Sequence, residues 1–144
     1  MKLKITTLLL LSIAAFAGDH SALNGTWKLI PTRSDFAGQP VVQTGTVTIA
    51  DSHGAVAVNR SFTYEGVGET YFFEGKLFGA HGATAHEGKD LKSKASWDHD
   101  ALVVKTTRSG VVTTERYTLA ADGLLTATVV TASGKPITLL FERL

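Results

Sequence analysis

From Gly18 onward, apolar and polar positions alternate with period two in short runs, broken by clusters of Gly, Asp, Ser and Pro. Successive side chains of an extended chain point to opposite faces, so this pattern predicts half-buried strands rather than helices. The runs fall at 23–30, 41–50, 55–64, 69–74, 93–98, 101–108, 111–119, 124–131 and 137–143. Between them stand Asp51-Ser52-His53-Gly54, Glu65-Gly66-Val67-Gly68, Asp98-His99-Asp100, Ser109-Gly110, Ala121-Asp122-Gly123 and Ser133-Gly134-Lys135-Pro136, all turn chemistry. Links this short join antiparallel neighbours, because parallel strands need crossovers of a dozen or more residues. No apolar stripe at i, i+3, i+4 is present. Only Thr32–Phe36 is expected to form a helical turn, with Ser34 or Asp35 as its cap. The stretch 75–92, which holds His81 and His86, is expected to be a loop over one end.

Apolar parity marks the inner face, since a slip of one residue would turn every side chain to the other side. Inward fall Gly25, Trp27 and Leu29; Gly45, Val47 and Ile49; Val56, Val58, Phe62 and Tyr64; Tyr71 and Phe73; Ala95 and Trp97; Leu102 and Val104; Val111, Tyr117 and Leu119; Leu125, Ala127 and Val129; and Ile137, Leu139 and Phe141. Opposite them lie Thr, Lys and Ser. One apolar lining and one wet face predict an all-β fold, an antiparallel up-and-down β-barrel of about eight to nine strands.

The same parity places Arg60, Glu115 and Arg108 inside. A buried unpaired charge is very costly, so these groups must pair, reach an opening or meet a guest. Two readings stay open. Arg60 and Glu115 form an internal salt bridge, or a bulge turns one outward; alternatively, Arg60 anchors the head of an otherwise apolar ligand. In the second case Glu115, Tyr64, Tyr117, Trp97 and Phe62 would complete the binding site. Barrels of this size hold either their own side chains or one ligand. The aromatic lining favours filling, whereas inward Gly45, Ala95 and Ala127 favour a cavity.

The start changes the picture of where the domain works. Lys2 and Lys4, the apolar run Ile5–Phe16 and Ala15-Phe16-Ala17 before Gly18 have the three parts of a secretory signal peptide over residues 1–17. The run is shorter than the roughly 17–25 apolar residues that span a bilayer, so stable membrane insertion is not expected once the leader is removed. The expectation is a single domain, 18–144, exported to the periplasm or secreted. The whole chain carries 14 Lys and Arg against 13 Asp and Glu. Two of the basic residues leave with the leader, so the domain is near neutral and lacks the basic patch of a nucleic-acid binder. With no Cys, neither disulfides nor lipid attachment at cysteine is available.

Catalytic and metal chemistry find little footing. No Gly-x-Ser-x-Gly elbow is present, and no His falls in an expected strand beside a Ser. His81 and His86, with His20, His53 and His99, match no zinc spacing. No cofactor is expected.

Leu23-Asn24-Gly25-Thr26-Trp27-Lys28-Leu29, opening the first strand, resembles the Gly-x-Trp start of the lipocalins and their calycin relatives. With Arg33-Ser34-Asp35-Phe36 it is also similar to a group of short exported bacterial proteins described as lipocalin-like. The resemblance implies that Trp27 plugs a closed barrel end and that Arg143 of the final run lies across its indole, with Gly25 beside them. It also implies an interior that takes a small apolar or amphipathic molecule, such as a fatty acid. The same opening resembles avidin-type biotin binders, but those use several inward tryptophans and only Trp27 and Trp97 exist here.

Overall fold

The computed structural model describes residues 20–52, 55–76, 81–86, 89–132 and 134–144; the leader expected at 1–17 lies outside them. A 3-10 turn, His20–Leu23, leads into β1 (Gly25–Leu29), and a second, Pro31–Arg33, follows it. The remaining strands are β2 (Thr44–Ser52), β3 (Ala55–Tyr64), β4 (Val67–Lys76), β5 (His81–His86), β6 (Lys89–Asp98), β7 (Ala101–Arg108), β8 (Val111–Leu119), β9 (Leu125–Thr131) and β10 (Ile137–Arg143). All pairings among them are antiparallel. They form one sheet in the order β4-β3-β2-β1-β10-β9-β8-β7-β6-β5. The sheet curls until its two edges, β4 and β5, lie side by side.

Among the described residues ten strands stand where eight or nine were expected. The difference lies in 75–92, whose described residues supply the end of β4, all of β5 and the start of β6 where a loop was expected. His81 pairs with Lys94 and His86 with Lys89, so both histidines belong to a strand backbone. Ladder pairing imposes the extended form on a segment whose own pattern is too Gly- and Ala-rich to announce it. The tight hairpins at Glu65-Gly66 and Ser109-Gly110 place both central residues at positive φ, the geometry that matches the strands' right-handed twist.

The helical turn starts one residue earlier than expected, and Ser34 and Asp35 follow it rather than cap its start. The Ser34 hydroxyl donates to the Ile30 carbonyl (2.9 Å) and accepts from the Leu140 amide (3.0 Å). Asp35 forms a bridge with Thr138 and accepts from the Ala37 amide. Both therefore fasten the β1–β2 connection to β10.

The core is one cluster on the inner face: Trp27, Leu29, Val47, Ile49, Val56, Val58, Ala95, Leu102, Val104, Tyr117, Leu125, Ala127, Leu139 and Phe141, with Leu23 from the first turn. Each large side chain so buried contributes about 1.5–3 kcal/mol relative to exposure. Parity fails at the ends of β8, where Val111 and Leu119 are exposed; as first and last residues of their strand they project past the wall. Arg108 is half-buried at the end of β7.

Candidate functional site

Strand direction puts the turns 98–101 and 119–125 at one barrel end and 64–67, 108–111 and 131–137 at the other. The first end is closed. Leu23 enters the core, and its carbonyl accepts a hydrogen bond from Trp27 Nε1 (2.9 Å). Trp27 is fully buried, with Arg143 opposite it in the β1–β10 ladder and the guanidinium carbon 4.0 Å from the ring centroid. Arg143 also donates to the Asn24 carbonyl (2.6 Å) and the Ala22 carbonyl (2.8 Å). Gly25, at φ 135°, leaves room for this guanidinium, which a Cβ there would meet. Asn24 ties the turn to β2 by donating to the Asp51 carbonyl and accepting from its amide.

Trp97 lies at the same end, away from the other candidate ligand contacts. Its indole stacks on His20, with centroids 3.7 Å apart and planes 8° from parallel, while His20 Nε2 contacts the His99 carbonyl at 3.0 Å. Nearby Asp98 is exposed, and hydrogen bonds from Arg116 and then His99 hold its carboxyl below the usual range. Asp98 thus belongs to a surface cluster at the β6–β7 turn.

The interior charge pair is built from strands on opposite walls. Arg60 of β3 and Glu115 of β8 stand five places apart in the ten-strand order, and a salt bridge between them crosses the inside of the barrel. Both are buried, Arg60 at 4% and Glu115 at 8% exposure. The other Glu115 carboxylate oxygen accepts from the Tyr117 hydroxyl at 2.9 Å. Burial pushes the Tyr117 phenol above its ordinary pKa of 10.0, and the Arg60 charge opposes part of that rise. Neither group is turned out by a bulge: the β3 and β8 ladders run unbroken through both.

Toward the open end, Phe62 and Tyr64 follow Arg60 along β3. Phe62 sits opposite Gly45 in the ladder, its ring fills the space a Gly45 side chain would need, and it packs against Phe141. Gly45 is therefore a seat for an aromatic ring, not a mark of empty volume. Tyr64 donates to Glu69 at the mouth. Beside it lies a cavity of about 580 Å³ lined by Phe36, Val42, Tyr64, Val129, Ile137 and Leu139, among others. Val129 is the ladder partner of Glu115, so the cavity reaches within one ladder step of the ion pair.

One feature of the wall had no signal in the sequence. Ladder register sets Ser93, Thr106, Thr113 and Thr131 in a single row across β6–β9, two residues mouthward of Glu115 on β8. Ser93 is buried and its hydroxyl lies 2.9 Å from that of Thr106; Thr131 lines the cavity. Each residue alone is an ordinary strand hydroxyl, and only the register of four strands makes the row. Among the described residues, no three of His, Cys, Asp or Glu come together as a metal site requires. No helix there is long and apolar enough to cross a membrane.

No family model matches the chain, and no curated protein sequence matches it significantly. Solved structures do. The REP1-NXSQ fatty acid transporter aligns with TM-score 0.64 and 18% identity over 86% of this chain and 97% of its own. Secretory abundant heat soluble protein 4 of Ramazzottius varieornatus gives 0.65 and 18% over 86% and 96%. A Schistosoma mansoni fatty acid binding protein, solved with arachidonic acid, gives 0.63 and 16% over 88% and 99%. In its fold, then, this chain is an antiparallel β-barrel similar to those of these solved structures.

Proposed function

We propose that this protein is an exported binding module whose barrel holds a small apolar or amphipathic molecule, with a fatty-acid-like carboxylate as the preferred guest. The observation that carries this reading is Arg60, a cation buried in an apolar barrel beside a mouth cavity and held by Glu115. Arg60 offers an acidic head group charge-assisted hydrogen bonds, and Phe36, Val42, Ile137 and Leu139 accept the chain. The similar folds of a fatty acid transporter and of fatty acid binding proteins support the same ligand class. Glu115 keeps Arg60 in place while the site is empty. Export to the periplasm or beyond rests on residues 1–17, and secreted protein beginning at Gly18 is its signature; an N-terminus that retains Leu8–Leu11 overturns it.

Titration of a fluorescent fatty acid and its methyl ester tests the binding reading. The wild type is expected to favour the acid, and Arg60→Leu to weaken acid binding about tenfold or more, since hydrogen bonds to charged groups contribute about 1.5–3 kcal/mol. Binding of the ester should change little. Because Arg60→Leu leaves Glu115 buried and unpaired, Arg60→Leu/Glu115→Leu serves as the control; apolar replacement of a whole buried pair is often tolerated. The tightly packed closed half favours a second reading, a barrel filled by its own side chains, which predicts saturable binding of neither ligand.

A further inference from the structure

We propose that the barrel takes up one proton for each carboxylate guest it binds, and that Glu115 receives it. This rests on the binding reading above and adds its regulation. Among the described contacts, the Arg60 guanidinium is paired with the Glu115 carboxylate, which also accepts from the neutral Tyr117 phenol. A guest carboxylate that reaches Arg60 adds a second negative charge beside groups that are already buried. Either the guest shares Arg60 with Glu115, leaving two carboxylates against one cation, or it displaces Glu115 into apolar surroundings. Both arrangements disfavour the charged form of one carboxylate, the first by like charge and the second by desolvation. A proton removes the excess.

Glu115 is the receiver because it is the carboxylate already paired with Arg60, where a guest would arrive. Its ladder partners are Val104 on β7 and Val129 on β9. Inward positions on β10 are Ile137, Leu139 and Phe141. On β8 itself stand Thr113, able to accept a hydrogen bond from a protonated Glu115, and Tyr117, which already donates to it. Arg60 reaches it from β3, where Tyr71 of β4 is the ladder partner of Arg60. Glu69 is engaged with Tyr64 at the mouth. The histidines whose side chains are described, His20 and His99, lie at the closed end.

The protonation balance is simple: guest carboxylate plus a proton from solvent gives bound guest and neutral Glu115, with no bond made or broken beyond that O–H. By linkage, affinity for a carboxylate falls about tenfold for each unit of pH rise where one proton is taken up. A neutral guest of equal length, such as the fatty alcohol, brings no charge and shows no such slope. The device would load an acid guest where protons are plentiful and release it where they are scarce.

Calorimetric titration of the wild type with a fatty acid tests this, run at one pH near neutrality in two buffers of different ionisation enthalpy. The expected result is uptake of about one proton per acid bound and none per alcohol. Glu115→Gln should lower the uptake for acid toward zero, with an unchanged circular dichroism spectrum reporting an intact barrel. Acid binding without proton uptake in the wild type overturns the proton linkage and leaves the binding reading standing. Equal proton uptake by Glu115→Gln overturns the assignment to Glu115. Failure of the wild type to bind acid or alcohol at any pH overturns the binding reading itself.

Discussion

Arg143 joins three things with one guanidinium: the face of Trp27, the Asn24 carbonyl and the Ala22 carbonyl. The side chain is exposed, which keeps its stacking energy toward the lower part of the roughly 0.5–2 kcal/mol range for a cation over an aromatic ring. Trp27 is fully buried, and Trp27→Ala is expected to cost about 3–5 kcal/mol. Arg143→Ala should cost less. Urea unfolding of both single variants and the double variant should give a coupling near 0.5–1 kcal/mol between these touching residues; strict additivity would mean the stacking is not felt. At this scale the sequence was informative where a residue broke its surroundings. Trp27 at the start of the first run, Arg143 in the last, and Arg60 and Glu115 on an apolar parity all stood out. Trp97 did not sort correctly, because inward parity says nothing of depth along the barrel axis, and its partner His20 comes from a turn with no periodic pattern.

Elements were legible in proportion to their contrast. β3 sets Val56, Val58, Phe62 and Tyr64 against Ala57, Asn59, Ser61 and Thr63, so period two is plain. β5, His81-Gly82-Ala83-Thr84-Ala85-His86, has neither strong alternation nor large apolar residues, and its extended form follows from pairing with β6. Gly45 illustrates a second limit. A glycine on the inner parity leaves room, but whether that room stays empty depends on the residue opposite, and β2–β3 register brings Phe62 there. The hydroxyl row Ser93, Thr106, Thr113 and Thr131 is the same lesson across four strands. Composition and parity identify what faces inward, whereas register decides which inward residues meet.

For the whole molecule, the buried network also sets how stability responds to alkali. Tyr117 holds its proton more tightly folded than unfolded. Its stabilising contribution is therefore complete below the ordinary phenol pKa of about 10 and is lost as pH rises through the higher folded value. Denaturation midpoints followed from pH 8 to 11 should fall more steeply for the wild type than for Tyr117→Phe, each compared with its own pH 8 value. Parallel curves would show that the phenol plays no part in alkaline unfolding.

The pairing of β1 with β10 has a kinetic side. Most ladders here join sequence neighbours and can form as local hairpins, but the seam Trp27↔Arg143 joins the first strand to the last. Closing so long a loop costs roughly 2 kcal/mol more chain entropy than closing a ten-residue hairpin, and contacts of high sequence separation slow folding. The meander can grow strand by strand, yet β1 keeps one unpaired edge, and the Trp27 plug cannot seat, until β10 arrives. During synthesis the chain thus stays open at its seam until residues 137–143 emerge, a delay that would suit a protein proposed to cross a membrane before it folds.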